Sequence, residues 1–161
     1  MAEVFIKPQG TKEEQYAALY QQICGVLSSE TDTIANMANV AAMIQTTFNF
    51  WWTGFYRVLP TDDGEEQLVL GPFQGPLACT RIALGRGVCG TAWQRKQTIV
   101  VPDVDKFEGH IACSSESKSE IVVPIFKDDK VVAVLDIDSA QIATFDATDQ
   151  LWLEKIAERI F

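Results

Sequence analysis

The feature that most constrains this fold is a change of hydrophobic period near residue 49. Before it, apolar residues recur at helical spacing. Tyr16, Leu19, Tyr20, Ile23 and Leu27 follow i, i+3, i+4, i+7 and i+11, which predicts an amphipathic helix over residues 11–28. Thr11 with Glu14 three residues on is a capping-box pattern at its start. A second helix is expected over residues 32–46, with Ile34, Met37, Ala38, Ala41 and Met43 or Ile44 on its apolar side. Beyond residue 49 the chain turns to short β-branched and aromatic runs, which read as strands at 51–59, 67–70, 78–84, 98–101, 121–126 and 131–137. Polar turns at Asp62-Asp63-Gly64 and Lys127-Asp128-Asp129-Lys130 make two hairpins of them. A short helical stretch is expected at 91–96. Asp146 caps a last helix with Leu153, Ile156, Ala157 and Ile160 on one face. Helices, then strands, then a helix predict an α+β domain with a largely antiparallel sheet of about five to six strands. Residues 1–161 read as one domain: N-terminal helices over 1–47, then sheet, a long loop and C-terminal helix over 48–161.

Charge narrows the function classes. Thirteen basic residues against 22 acidic give a net charge of −9. That sign disfavours nucleic acid or an anionic membrane as partner, since both need Lys and Arg to release counterions. No apolar run approaches the roughly 18 residues of a membrane helix. The start MAEVFIKPQG lacks a signal core. A reducing cytosol is therefore expected, where structural disulfides are rare. The four cysteines and single histidine are then candidates for chemistry.

Gly85-Arg86-Gly87-Val88-Cys89-Gly90 has the G-x-G-x-x-G spacing of a dinucleotide loop, with Asp103 eighteen residues beyond Gly85. The helix behind it is too short for a βαβ crossover, which takes at least about 10–12 residues. A tight turn that places Cys89 is the better reading. Cys79, Cys89 and Cys113 fall at strand ends or loops. No pair has the C-x(2–4)-C spacing of a zinc site, so no metal is expected from Cys79, Cys89, His110 and Cys113. Cys113 sits in a polar segment of residues 102–120, and loops that long inside a compact domain are usually functional. A loop thiol in a reducing compartment is a candidate reactive cysteine. A second thiol within reach would make a redox pair.

Asp136 and Asp138 lie two apart on a strand and so share a face. Two acids on one face repel and call for a cation, a base or a shared proton, although Asp138 starting the next loop is the bland alternative. Glu120, at the start of the neighbouring strand, joins them across the hairpin. Trp52 and Tyr56 lie four apart on one strand face, with Trp93 expected near. Such an aromatic wall beside carboxylates can hold cationic or thioether groups.

Four blocks together, NFWWTGFY, LVLGPFQGPLACTRIALGRGVCGTA, VPDVDKFEGHIACSSESKSEIVVPI and VLDIDS, resemble the free methionine-(R)-sulfoxide reductases, small stand-alone GAF-domain enzymes. The resemblance runs from about residue 49 to the last helix. It implies a GAF-like fold with the N- and C-terminal helices packed on one face of the sheet. It also implies reduction of the free amino-acid sulfoxide, R epimer at sulfur. Cys113 in GHIAC matches the family's nucleophile, Cys79 in LACTRI its main resolving cysteine, and Cys89 in GRGVCG its third cysteine. Trp52 and Tyr56 match the aromatic wall; Glu120, Asp136 and Asp138 match the acidic cluster. The doubled Trp51-Trp52 departs mildly from the pattern, and Trp52 is chosen because it shares the face of Tyr56.

The chemistry is coherent on these residues. A carboxylic acid in a crowded cluster has a raised pKa and can protonate a sulfoxide oxygen near neutral pH. The other carboxylates can hold the substrate's ammonium group. Cys113 attacks sulfur and becomes a sulfenic acid, and Cys79 or Cys89 condenses with it. No bound cofactor is expected; an external dithiol, thioredoxin by family analogy, resets the pair. GAF domains often dimerise through terminal helices, so a homodimer is implied. The competing reading is a GAF sensor that binds a small ligand without turnover. His110, three residues before Cys113, is within reach of assisting that thiol.

Overall fold

The computed structural model describes residues 4–111 and 113–161; Met1–Glu3 and Ala112 lie outside the described residues. Helix α1 spans Lys12–Leu27 and α2 spans Thr33–Phe48. Strands follow at β1 (Trp52–Pro60), β2 (Glu66–Gln74) and β3 (Arg81–Ile82). Helix α3 (Gly87–Arg95), β4 (Ile99–Val101), β5 (Ser119–Lys127), β6 (Lys130–Ser139) and α4 (Ala147–Ala157) complete the chain. The sheet has six strands in the order β3-β2-β1-β6-β5-β4, and every neighbouring pair is antiparallel.

Local chemistry sets these elements. Thr11 and Glu14 make the expected capping box on α1, and Asp146 accepts from Thr148 and Asp149 at the start of α4. The β5–β6 turn is tight, with Asp128 and Asp129 both in the left-handed region that a type I′ hairpin needs. Along each central strand, alternate residues face opposite layers. Phe55, Ile121, Val123, Leu135 and Ile137 pack against α1, α2 and α4 in one core. Trp52, Tyr56, Val122 and Val134 pack with α3 and its flanking loops in a second. The terminal helices therefore share one face of the sheet, as the family resemblance implies.

Three expectations are corrected. On α2, Ile34 and Ala38 face solvent, and the buried stripe runs through Met37, Val40, Ala41 and Ile44. The stripe is rotated because α2 must meet both α1 and the sheet. The strand expected at 78–84 shrinks to Arg81–Ile82. Its first half leaves the sheet, where Pro76 accepts the indole N–H of Trp52 at 3.1 Å and Cys79 O accepts the Tyr56 hydroxyl at 2.9 Å. The helix expected at 91–96 starts at Gly87, so Cys89 lies in a helical first turn and is buried rather than placed on a loop.

Candidate active site

The antiparallel register builds the site as a grid. Trp52 on β1 pairs with Asp138 on β6, which pairs with Glu120 on β5. The next row on the same face is Gly54, Asp136 and Val122. Tyr56 stands two further along β1. The Trp52 and Tyr56 rings stack with centroids 6.0 Å apart, and Phe73 backs Trp52 at 5.3 Å. Gly54 makes this possible, because a Cβ there would collide with the Trp52 ring and with Phe73. Above the grid lies a cavity of about 60 Å³, several times the ~10–15 Å³ that holds one water. Trp52, Tyr56, Cys89, Cys113, Glu120, Asp136 and Asp138 all line it.

Cys79 does not line the cavity but reaches it covalently, through a disulfide to Cys113 with the two Cα atoms 5.9 Å apart. The segment carrying Cys113, residues 102–118, lies over the grid. Ser117 donates its hydroxyl to Asp138 Oδ1, and the Trp51 indole N–H donates to Ser114 Oγ at 3.2 Å. Ile111 packs over Gly87, where an added Cβ would meet its side chain at 3.1 Å. His110 Nε2 stands 3.5 Å from Glu120 Oε2.

Burial dominates the electrostatics. It pushes Glu120 and Asp136 well above the ordinary carboxylate range, and repulsion from Asp138 and Glu120 respectively adds to it. Asp138 is pushed up to about 8 by burial and by Asp136, against the opposing pull of the Ser117 hydroxyl and His110. Burial and the neighbouring carboxylates also raise the Cys89 thiol and the Tyr56 phenol. Asp136 Oδ1 is buried without a hydrogen-bond partner among the described residues. The Cys89 sulfur and the Glu120 and Asp136 oxygens lie within 4.8 Å of one another. Their surroundings favour the protonated forms, so the cluster is suited to holding and donating protons.

Sequence reasoning missed several lining residues. Trp51 was set aside in favour of Trp52, yet both rings line the cavity. Ser117, Ser114, Ile111, Leu77 and Arg86 also line it; they come from irregular segments, where no period marks a face. Trp93 is buried in the same layer without lining the cavity.

The GAF domain family model matches residues 28–160. The chain is 56% identical over 156 residues to GAF domain-containing protein A of Dictyostelium discoideum, covering 97% of this chain and 96% of that protein. It is 42% identical over 155 residues to free methionine-R-sulfoxide reductase of Saccharomyces cerevisiae, covering 92% of this chain and 85% of that enzyme. The X-ray structure of free methionine-R-sulfoxide reductase from Neisseria meningitidis in complex with its substrate superposes with a TM-score of 0.92 at 48% identity, covering 98% of this chain and 92% of that one. A six-stranded antiparallel sheet flanked by helices, the GAF domain match over most of the chain, and full-length likeness to these reductases together mean that the chain belongs to the GAF-domain family of free methionine-R-sulfoxide reductases.

Proposed function

We propose that this protein reduces free methionine-(R)-sulfoxide to methionine by dithiol chemistry at Cys113 and Cys79. One observation carries the reading: the Cys79–Cys113 bond stands at the rim of a cavity whose floor is Glu120, Asp136 and Asp138. A carboxyl of the floor, protonated near neutral pH, gives its proton to the sulfoxide oxygen. The Cys113 thiolate attacks the sulfoxide sulfur to form a sulfur–sulfur bond; the oxygen then passes from the methionine sulfur to Cys113 as the sulfur–sulfur and original sulfur–oxygen bonds break, so that methionine leaves and Cys113 is a sulfenic acid. The Cys79 thiol attacks that sulfur, a disulfide forms and water leaves. A dithiol such as thioredoxin then returns both thiols by exchange. Trp52 and Tyr56 wall the methyl-sulfur end, and the remaining carboxylates hold the ammonium group. Cys89, buried beside Asp136, is the second candidate resolving thiol.

A sensor that only binds its ligand has no use for two cysteines able to bond over the cavity, and that pairing favours turnover. Cytoplasmic residence and a homodimer through the terminal helices belong to the same reading; among the described residues no helix is long and apolar enough to cross a membrane. The test supplies dithiothreitol or thioredoxin with each sulfoxide epimer and measures methionine. Turnover of the R epimer alone is expected, and its absence with reduced protein sinks the reading. Cys113→Ser abolishes turnover. Cys79→Ser allows one turnover in a burst and then recycles slowly.

A further inference from the structure

The Cys79–Cys113 bond is reachable from outside, since Cys113 is exposed and Cys79 half-buried. Beside it stands a pinned ridge. Residues 75–79 belong to no strand or helix, yet the ridge is fixed to β1 at two points. The Trp52 indole N–H donates to Pro76 O and the Tyr56 hydroxyl donates to Cys79 O. Between these pins Leu77 is 90% exposed, the most of any large apolar side chain among the described residues. Single exposed leucines are ordinary on protein surfaces. This one is set apart by its place, held out two residues from a bond that must be met by another dithiol. The N–H groups of Leu77, Ala78 and Cys79 and the carbonyls of Leu77 and Ala78 make no hydrogen bond among the described residues. The ridge then runs into β3, the edge strand of the sheet, which pairs only with β2.

Charge marks the same region. The chain carries −9, yet residues 67–102 hold four basic side chains, Arg81, Arg86, Arg95 and Lys96, and no acidic one. Arg81 and Arg86 are exposed, and neither is ion-paired among the described residues. An acidic partner is repelled by most of this molecule and meets two guanidinium groups here.

We infer that residues 75–82 form the docking surface for a protein dithiol reductase, with Leu77 as its apolar anchor and Arg81 as its charged contact. This rests on the reading that turnover closes the Cys79–Cys113 bond. A thiolate of the reductase attacks one sulfur of that bond, the bond breaks, and the other sulfur leaves as a thiolate and takes a proton. The second thiol of the reductase then breaks the mixed disulfide, so that two electrons pass and both cysteines are thiols again. The attacking thiol has to stand over the bond, which brings the surrounding face of the reductase onto the ridge. Extended backbone with unpaired groups at a sheet edge is what a partner chain can pair with. The two pins hold the ridge in place beforehand, which lowers the ordering cost of docking.

Reduction of the oxidised protein, followed in time with thioredoxin or with dithiothreitol, tests this. Dividing the thioredoxin rate constant by the dithiothreitol rate constant of the same variant removes any change in the bond itself. The ratio is expected to fall about 5–30-fold in Leu77→Ser. In Arg81→Glu it falls about 3–10-fold at low salt, and the loss shrinks as salt is added. Leu151→Ser, on α4 across the sheet and 50% exposed, keeps the wild-type ratio. A ratio unchanged in Leu77→Ser or in Arg81→Glu, or one that falls equally in Leu151→Ser, overturns the inference. Thioredoxin with its second cysteine replaced by serine halts at the mixed disulfide. In that complex amide exchange at Leu77 and Ala78 is slowed, and unslowed exchange at both overturns the inference as well. No sulfoxide enters these measurements. Failure of the reduced protein to turn over the R epimer with dithiothreitol overturns instead the functional reading beneath it.

Discussion

Three carboxyls on one face of a sheet impose a cost that depends on pH, and the sign follows from their surroundings. Asp138 is raised by burial and by Asp136 to about 8, whereas an unfolded chain releases that proton near ~3.9. The folded state thus holds the proton more tightly. The associated stability is fully present below about pH 4, is lost as the pH rises to about 8, and is level beyond. Asn at this position keeps an acceptor for the Ser117 hydroxyl and cannot ionise. Asp138→Asn is therefore expected to melt above wild type in the disulfide form, with a gap that widens between about pH 4 and 8 and then stays constant. A gain of roughly 1–3 kcal/mol, or ~3–10 °C, is the expected plateau for a domain of this size. Calorimetry over that range checks it, and a gap independent of pH contradicts the buried acidic floor. Turnover falls in the same variant, because a proton-holding or ammonium-binding group is gone. At this scale the site was legible wherever a side chain sits on a strand. Asp136 and Asp138, and Trp52 and Tyr56, were read onto common faces from their even spacing alone. Ser117, Trp51 and the reach of His110 to Glu120 depend on how an irregular segment folds back, and no spacing encodes that.

At the scale of elements, α3 and its glycines explain a motif that looked like a nucleotide loop. Gly85 and Gly87 have φ of +75° and +59°, which turn the chain sharply into the helix. Gly90 serves close approach: a Cβ there would sit 2.5 Å from Ala83 O and 3.1 Å from Gly85 N. Both contacts are backbone and cannot move aside as a flexible side chain would. Gly90→Ala must push α3 off the β3 turn, and Cys89 moves with it. A loss of roughly 1–3 kcal/mol is expected for such overpacking, with a higher KM because Cys89 and Val88 line the cavity. Thermal melts and Michaelis curves on purified protein test it; an unchanged melting temperature would remove close approach as the reason for this glycine. The sequence placed a turn here correctly and misjudged where the helix begins. Arg86 at the N-cap makes no side-chain capping bond, so α3 starts without the Ser, Thr, Asp or Asn signal that marks α1, α2 and α4. The strand at 78–84 was overread for a related reason. Its composition suits a strand, but Trp52, Tyr56 and the disulfide draw residues 76–79 toward the cavity.

Across the whole molecule, the sheet divides labour. One face is covered by α1, α2 and α4, and α1 is tied to α4 by the buried contact of the Tyr16 hydroxyl with Asp149 at 2.7 Å and by Lys12 bonding the same carboxylate at 2.7 Å. The other face carries the grid, α3 and the segment of residues 102–118. The Cys79–Cys113 bond belongs wholly to this second layer and closes a loop of 34 residues. A loop of that length corresponds to about 4 kcal/mol of restricted unfolded-chain entropy, in a model whose mechanism is disputed. The helix-side core makes no contact with the bond, so its packing survives reduction. Two outcomes are expected when purified protein is reduced. Its melting temperature falls by roughly 5–15 °C, the scale that this stabilisation sets for a chain of this size. Protease cleavage increases within residues 102–118 and not in the helices, because without the disulfide the segment is held to the grid by a few contacts, those of Ser117, Ser114 and His110 with Asp138, Trp51 and Glu120. Limited proteolysis followed by mass spectrometry, on matched reduced and oxidised samples, distinguishes local opening from global loosening. Equal cleavage of residues 102–118 in both samples would mean that the segment does not respond to the redox state of the pair. The cavity would then open to substrate by some other movement than release of Cys113.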